Sequence, residues 1–388
     1  MLAGIQFTHI ADFMVMMPLG PQFMRLFSIS PQQFGVLVSS YTFAAAVAGL
    51  LAALVVDRFD RKRVVLFLYG AFTLATLFCG LAPNYSSLLI ARCLAGAFGG
   101  VLSAMVFTLA ADLIPESRRG VATGTIMAAF SVSTIFGVPM GLTLAAHLDT
   151  WRAPFFFLGG LSLLILIVAQ FVLPSVTRHV RAQHLTLQEA AAQIVTVLRY
   201  RNHQKAFLLM TLMMLSGFTV IPFISIYINV NVGVRFVDLP YIYLAGGAAT
   251  LFSSRFIGRM ADRYGKQWTY RVVATSSLIP LLVITHMPPT PLPWVVLFFV
   301  LFFVFVSGRI IPGLAIVTSS AIPAYRGTFM SLNSSVQQAA SGVAALIGAG
   351  IVSRAPDGQL LHYDRVGYVA VAATLVAMWL VGKVRVQR

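Results

Sequence analysis

Asp57-Arg58-Phe59-Asp60-Arg61-Lys62-Arg63 is a dense charged turn in a 388-residue chain whose charged share is only 10%. A related turn, Asp262-Arg263-Tyr264-Gly265-Lys266-Gln267, begins 205 residues downstream. Each follows a long apolar run, 34–56 in the first case and 239–258 in the second. A second echo accompanies them: IPESRRG at 114–120 and IPAYRG at 322–327 also follow apolar runs. Two pairs of matching turns at equivalent points predict a chain built from two related halves by duplication.

Outward from these turns the chain is 59% hydrophobic, whereas a soluble globule carries about 25% charged residues. Twelve apolar runs are legible, at 4–27, 34–56, 64–82, 87–111, 121–147, 153–173, 206–228, 239–258, 272–287, 292–316, 327–352 and 366–382. Runs of roughly 20 residues cross a hydrocarbon layer about 30 Å thick. The predicted fold is therefore an all-α membrane protein, with twelve transmembrane helices in two pseudo-symmetric six-helix bundles, 1–173 and 206–388. The polar stretch 174–205 joins them, and its Thr186-Leu187-Gln188-Glu189 reads as a capping box. It opens a surface-lying helix with Ala190, Ala191, Ile194 and Leu198 on one face.

With alternate loops on opposite sides, one side collects 19 of the 27 lysines and arginines and the other five, leaving Arg92, Arg255 and Arg309 inside runs. Basic loops are retained in the cytoplasm, so both termini are expected there, in a bacterial-type inner membrane. The same rule accounts for the net charge of +16 without nucleic acid as a partner. Cys79 and Cys93 fall inside apolar runs, away from any disulfide or metal pattern. The first run lacks a basic leader and a small-residue cleavage site, so it is expected to be retained. A monomer is the default state.

The chain as a whole resembles the major facilitator superfamily of secondary transporters. The family signature between helices two and three is a glycine, three residues, then Asp-Arg-x-Gly and two basic residues. The second half keeps it as Gly258, Asp262, Arg263, Gly265 and Lys266. The first half keeps Asp57, Arg58, Arg61 and Lys62 but carries Ala53 and Asp60 where the glycines belong. The resemblance implies a conformational latch made by Asp57, Arg58, Arg61, Gly258, Asp262, Arg263 and Gly265, a positive-inside anchor being the alternative. Arg92 with Gly96, Gly99 and Gly100 is similar to the family's intramembrane arginine followed by small residues. Gly137, Pro139 and Gly141, ahead of WRAPFFF at 151–157, are similar to the helix-bend motif of drug and metabolite exporters. Val138 parts the glycine from the proline, which points toward the sugar and small-metabolite efflux branch; a simple proline kink is the alternative.

A proton-coupled carrier needs an ionisable group within the bilayer, where a charge costs at least about 2.5–3.5 kcal/mol. Of eleven acidic residues only Asp12 lies well inside a run. It sits about 12 Å along the first helix, at 1.5 Å per residue, and is the proton-carrier candidate; a structural hydrogen bond to a neighbouring helix is the alternative. His9, three residues earlier on the same face, is either a proton relay or an interfacial side chain directed at headgroups. Arg92 either holds Asp12 ionised, or binds an anionic substrate, or pairs with backbone carbonyls. Arg255 is read as structural, its side chain reaching toward the headgroups. Candidate cavity residues are Tyr41, Arg92, Tyr227, Asn229, Arg309, Asn333 and Gln337, the last two at i and i+4, although helix contacts explain them equally well.

No phosphate-binding loop, no H-E-x-x-H zinc motif and no pair of membrane carboxylates is present, which argues against a pump, a metalloprotease and an aspartyl protease. The expected function is proton-coupled efflux of a small amphipathic drug or metabolite by alternating access, with the proton gradient as energy source and neither cofactor nor metal. A proton-coupled sugar or metabolite importer, a uniporter and a lysolipid flippase are the alternatives on the same scaffold.

Overall fold

The computed structural model describes residues 1–52, 56, 59–175 and 187–385. Asp57, Arg58, Ala53 and Thr186, singled out in the sequence, lie outside the described residues. The helices of the first half are α1 (Leu2–Val15), α2 (Gly20–Leu26), α3 (Pro31–Ala52), α4 (Arg61–Leu81), α5 (Tyr85–Leu113), α6 (Glu116–Val132), α7 (Val138–His147) and α8 (Ala153–Val172). Those that follow are α9 (Leu187–Arg199), α10 (Arg201–Phe218), α11 (Ile221–Val230), α12 (Leu239–Tyr264), α13 (Lys266–Thr285), α14 (Leu292–Phe302), α15 (Ile310–Ser319), α16 (Arg326–Ile351) and α17 (Tyr363–Val381). A two-residue antiparallel pairing of β1 (Ser353–Arg354) with β2 (Leu360–Leu361) closes the loop between the last two helices.

Among the described residues nine helical stretches are long and apolar enough to cross a membrane, and the bent pair α1 and α2 makes a tenth. The two helices that complete the expected twelve, α12 and α16, have 26 residues each, about 39 Å at 1.5 Å per residue. They are more polar because both turn a face to the other half of the protein. A Cβ built on Gly247 of α12 would lie 3.0 Å from Ile135 Cα, and one on Gly342 of α16 2.7 Å from Thr42 Oγ1 of α3.

Prolines decide where the spans break. The first span was expected to run unbroken over 4–27, but α1 and α2 meet at 53°. Pro18 and Pro21 remove two backbone donors within four residues, and Pro18 disfavours the helical conformation of Met17. At the expected bend, Gly137 and Pro139, the chain passes from α6 into α7 through a five-residue π-turn, Ser133–Gly137, without a bend above 40°. Pro139 leaves the carbonyl four residues before it without a donor, and the wider turn absorbs the loss. The same device recurs at Phe303–Ser307, ahead of Pro312. Gly137 and Gly141 serve close packing: a Cβ on them would lie 2.9 Å from Ala11 Cβ and 2.6 Å from Val15 Cγ2 on α1.

Three apolar cores define the shape. One joins both halves at the end away from the basic loops, bringing Met16, Phe23 and Phe34 together with Phe223, Ile226 and Tyr243. At the basic end each half keeps its own core, around Tyr69, Phe72 and Leu102 in the first and Met210, Tyr270 and Phe329 in the second. Glycines 124, 258 and 327 at this end have no atom within 4 Å of a built Cβ, so no neighbouring helix packs on those faces, while α3 and α16 still approach there, a Cβ on Gly49 lying 3.5 Å from Ser335 Oγ. One end is sealed by a core that both halves share, and at the basic end no shared core forms among the described residues.

Asp60 replaces the expected glycine for a local reason. It is the N-cap of α4, accepting a hydrogen bond from the Lys62 backbone N–H at 3.0 Å and another from Ser175 Oγ at 2.6 Å. Asp60→Ala is expected to lower stability by about 1 kcal/mol, and Asp60→Gly by a few tenths, read as melting temperature in detergent. In the second half Gly265 stands at φ +93°, a conformation that L side chains rarely adopt, and ends α12. The linker helix α9 lies against the second half, with Thr328 Oγ1 donating to Gln193 Oε1 at 3.1 Å. Its buried face runs through Val197, while Leu198, expected on that face, is exposed.

Candidate functional site

Four helices of the first half converge on one fully buried ion pair. Arg92 on α5 donates from Nη1 to Asp12 Oδ2 on α1 at 2.8 Å, and the side chains are 1% and 0% exposed. Thr76 on α4 donates to the other carboxylate oxygen at 3.3 Å. Tyr41 on α3 lays its ring under the guanidinium, 4.5 Å from centroid to Cζ. The small residues after Arg92 permit this approach: a Cβ on Gly96 would strike the Tyr41 carbonyl, and one on Gly99 would lie 2.7 Å from both Tyr41 Oη and His9 Cδ2. The charges therefore answer each other, as a pair held away from water requires.

His9 is buried, contrary to the headgroup-facing alternative. Its ring lies 6.2 Å from that of Tyr41 and 5.7 Å from that of Phe72, and neither ring nitrogen has a hydrogen-bond partner among the described residues. The Tyr41 hydroxyl and Arg92 Nε are likewise unpartnered among these residues. Gln6, one turn before His9, donates to Ser103 Oγ of α5 at 2.9 Å. The sequence reading missed Gln6 and Thr76. A signal for Gln6 existed, because Gln6, His9 and Asp12 repeat every three residues along one face of α1. Thr76 had none, since threonine in an apolar helix usually bonds its own backbone.

The other candidates are scattered. Tyr227 and Asn229 lie at the sealed end instead of on a central wall. The Tyr227 hydroxyl donates to the Met287 carbonyl at 3.0 Å and Asn229 Nδ2 to the Val234 carbonyl at 2.8 Å. Arg309 points into the interior of the second half, toward Ser277 and Thr374. Asn333 is buried on α16 with its Oδ1 unpartnered among the described residues, and Gln337 is half-buried one turn on.

Of the latch residues, Arg61 Nε meets Asp112 Oδ2 of α5 at 2.7 Å. This ion pair lies within the first half, so it does not bridge to the other bundle. Gly258, Asp262, Arg263 and Gly265 stand at the basic end. Asp262 and Arg263 are exposed, and Arg263 rests against the ring of Tyr264 at 5.3 Å.

Comparison with known proteins places the fold. The family model described as Major Facilitator Superfamily matches residues 2–345. The MFS-type transporter YbcL of Bacillus subtilis (strain 168) is 25% identical over 349 residues, 89% of this chain and 86% of the relative. A second transporter of that organism, YceJ, is 28% identical over 173 residues, so the alignment spans 44% of that relative's length. A probable sugar efflux transporter of Helicobacter pylori (strain P12) is 27% identical over 206 residues, 53% of this chain and 50% of that one. Among solved structures, the nucleoside transporter NupG superposes with a TM-score of 0.76 at 12% identity, covering 99% of this chain and 98% of that chain. A D-xylose-proton symporter does so with 0.76 at 17% identity, covering 97% and 96%.

Proposed function

The chain belongs to the Major Facilitator Superfamily, and from that membership we propose that it exports a small amphipathic compound in exchange for protons. It is a multi-pass membrane transporter of the secondary-carrier class and not an enzyme. The observation that carries the proposal is the buried Asp12–Arg92 pair. A carboxylate enclosed with its counter-charge is a two-state element: when Asp12 takes a proton, Arg92 keeps a charge that no carboxylate answers. Breaking such a pair from one side costs about 3–5 kcal/mol. That is close to the roughly 5.5 kcal/mol that moves a two-state equilibrium from 1:99 to 99:1.

In this reading the structure is the conformation that receives substrate from the cytoplasm. The joint core seals the far end, and the basic end, where each half keeps its own core, admits the compound between the halves. Substrate displaces contacts around Tyr41 and Arg92, the halves rock, and Asp12 is protonated from the opposite side. His9, 6.2 Å from the Tyr41 ring, relays the proton along α1. The sugar efflux relative supports outward direction and a small polar or amphipathic cargo. The carrier works as a monomer in a bacterial inner membrane with cytoplasmic termini, drawing on the proton gradient without a cofactor.

The test is proton release from energised everted vesicles, read by dequenching of a pH-sensitive dye, over a panel of dyes, drugs, sugars and lysolipids. At least one compound is expected to evoke release in wild type and none in Asp12→Asn. Release that is equal in the two removes Asp12 from coupling, and silence across the panel removes proton exchange.

A further inference from the structure

The fold encloses a second guanidinium, and this one has no counter-charge among the described residues. Arg309 stands immediately before α15 and is 1% exposed. Its Nη1 donates to Thr374 Oγ1 of α17 at 2.9 Å and to Ser277 Oγ of α13 at 3.3 Å. Both hydroxyls spend their own hydrogen on backbone carbonyls, Thr374 on Ala370 at 2.8 Å and Ser277 on Ala274 at 2.7 Å. Each therefore turns only lone pairs toward Arg309, and together they fix the plane of the guanidinium.

The opposite edge, made by Nε and Nη2, has no hydrogen-bond partner, and no carboxylate pairs with Arg309 among the described residues. That edge is the fork that binds an anion with two parallel N–H donors. Arg92, by contrast, is answered by Asp12. A water molecule on the free edge satisfies donors but leaves the charge uncompensated, and a charge at mid-membrane depth is costly. An anion satisfies both.

We infer that Arg309 binds a small monovalent anion, a halide or a carboxylate, on its Nε and Nη2 edge inside the second half. The site draws on neither Asp12 nor the direction of transport, and it gives the second half the ion pair that the first half makes from its own residues. The anion stabilises the packing of α13, α15 and α17 around it.

The test is the melting temperature of the purified full-length protein, titrated with sodium chloride or sodium formate while bulky gluconate holds ionic strength constant. A saturable rise with chloride identifies a halide site, and a rise with formate a carboxylate site. The rise is expected to vanish in Arg309→Gln and to persist in Asp12→Asn, which separates this inference from the proposed proton coupling. Should Arg309→Gln fail to fold, Arg309→Lys decides, because it keeps the charge and removes the two-donor edge. Its midpoint is expected to move at least about tenfold higher, in line with one lost hydrogen bond to a charged group of roughly 1.5 kcal/mol or more. No anion-specific rise in wild type, an equal rise in Arg309→Gln, or an unmoved midpoint in Arg309→Lys overturns the inference in favour of water alone.

Discussion

Arg92→Leu is expected to destabilise the protein by about 3–5 kcal/mol, the usual consequence of leaving one member of a buried ion pair without its partner. The carboxylate of Asp12 would keep only the Thr76 hydroxyl, at 3.3 Å, in a place with no access to water. The leucine also removes the cation resting on the Tyr41 ring. The double variant Asp12→Asn with Arg92→Gln replaces two charges by two neutral hydrogen-bonding groups and is expected to recover most of the lost stability. It should not recover proton release. Melting temperatures of Asp12→Asn, Arg92→Gln and the double variant form the cycle that isolates the pair. If the losses in the single variants simply add in the double variant, the contact is not an energetic unit and the coupling scheme loses its switch.

The second large effect is expected from Gly35→Leu. Gly35 on α3 faces Ala349 of α16 in the other half, where a built Cβ would collide with the Ala349 side chain and lie 3.3 Å from the Ala345 carbonyl. Overfilling so close a contact costs about 1–3 kcal/mol. The contact belongs to the sealed end, so the cost falls on the conformation closed there and shifts the balance toward the one that opens. Compound-evoked proton release is expected to drop at least about tenfold, since 1.4 kcal/mol is a factor of ten in an equilibrium. A thiol placed in the contact reports the cause: Ala345 of α16 is fully buried, its carbonyl against Gly35. Maleimide labelling of Ala345→Cys, with Cys79 and Cys93 replaced by serine, should accelerate in Gly35→Leu. Unchanged labelling with normal transport would mean that α3 and α16 do not part during the cycle.

The sequence made some elements of the site legible and hid others for identifiable reasons. Asp12 stood out because it is the one acidic residue well inside an apolar run. Arg92 was one of three arginines inside apolar runs, and the glycines after it announced a close helix approach. Their 2.8 Å contact spans 80 positions of chain and depends on the rotation of α1 against α5, which periodicity does not fix. Arg309 shows the limit: its spacing to Gly313 matches that of Arg92 to Gly96, yet it meets the hydroxyls of Ser277 and Thr374 where Arg92 meets a carboxylate. Tyr227 and Asn229 looked equally suited to a cavity wall until α11 carried them to the sealed end.

By itself the sequence determined the membrane setting, the helical class, the two-fold internal repeat and the single intramembrane acid, because these follow from composition, run length and spacing. The tertiary structure alone decided which end is sealed, where the first span breaks, and which buried arginine has a carboxylate to answer it. The physical reason is that an apolar run states that a helix is buried in lipid or protein without stating which face meets which neighbour. Helix rotation and tilt are set by side-chain packing across the two halves, at contacts such as Gly35 with Ala349 and Gly247 with Ile135.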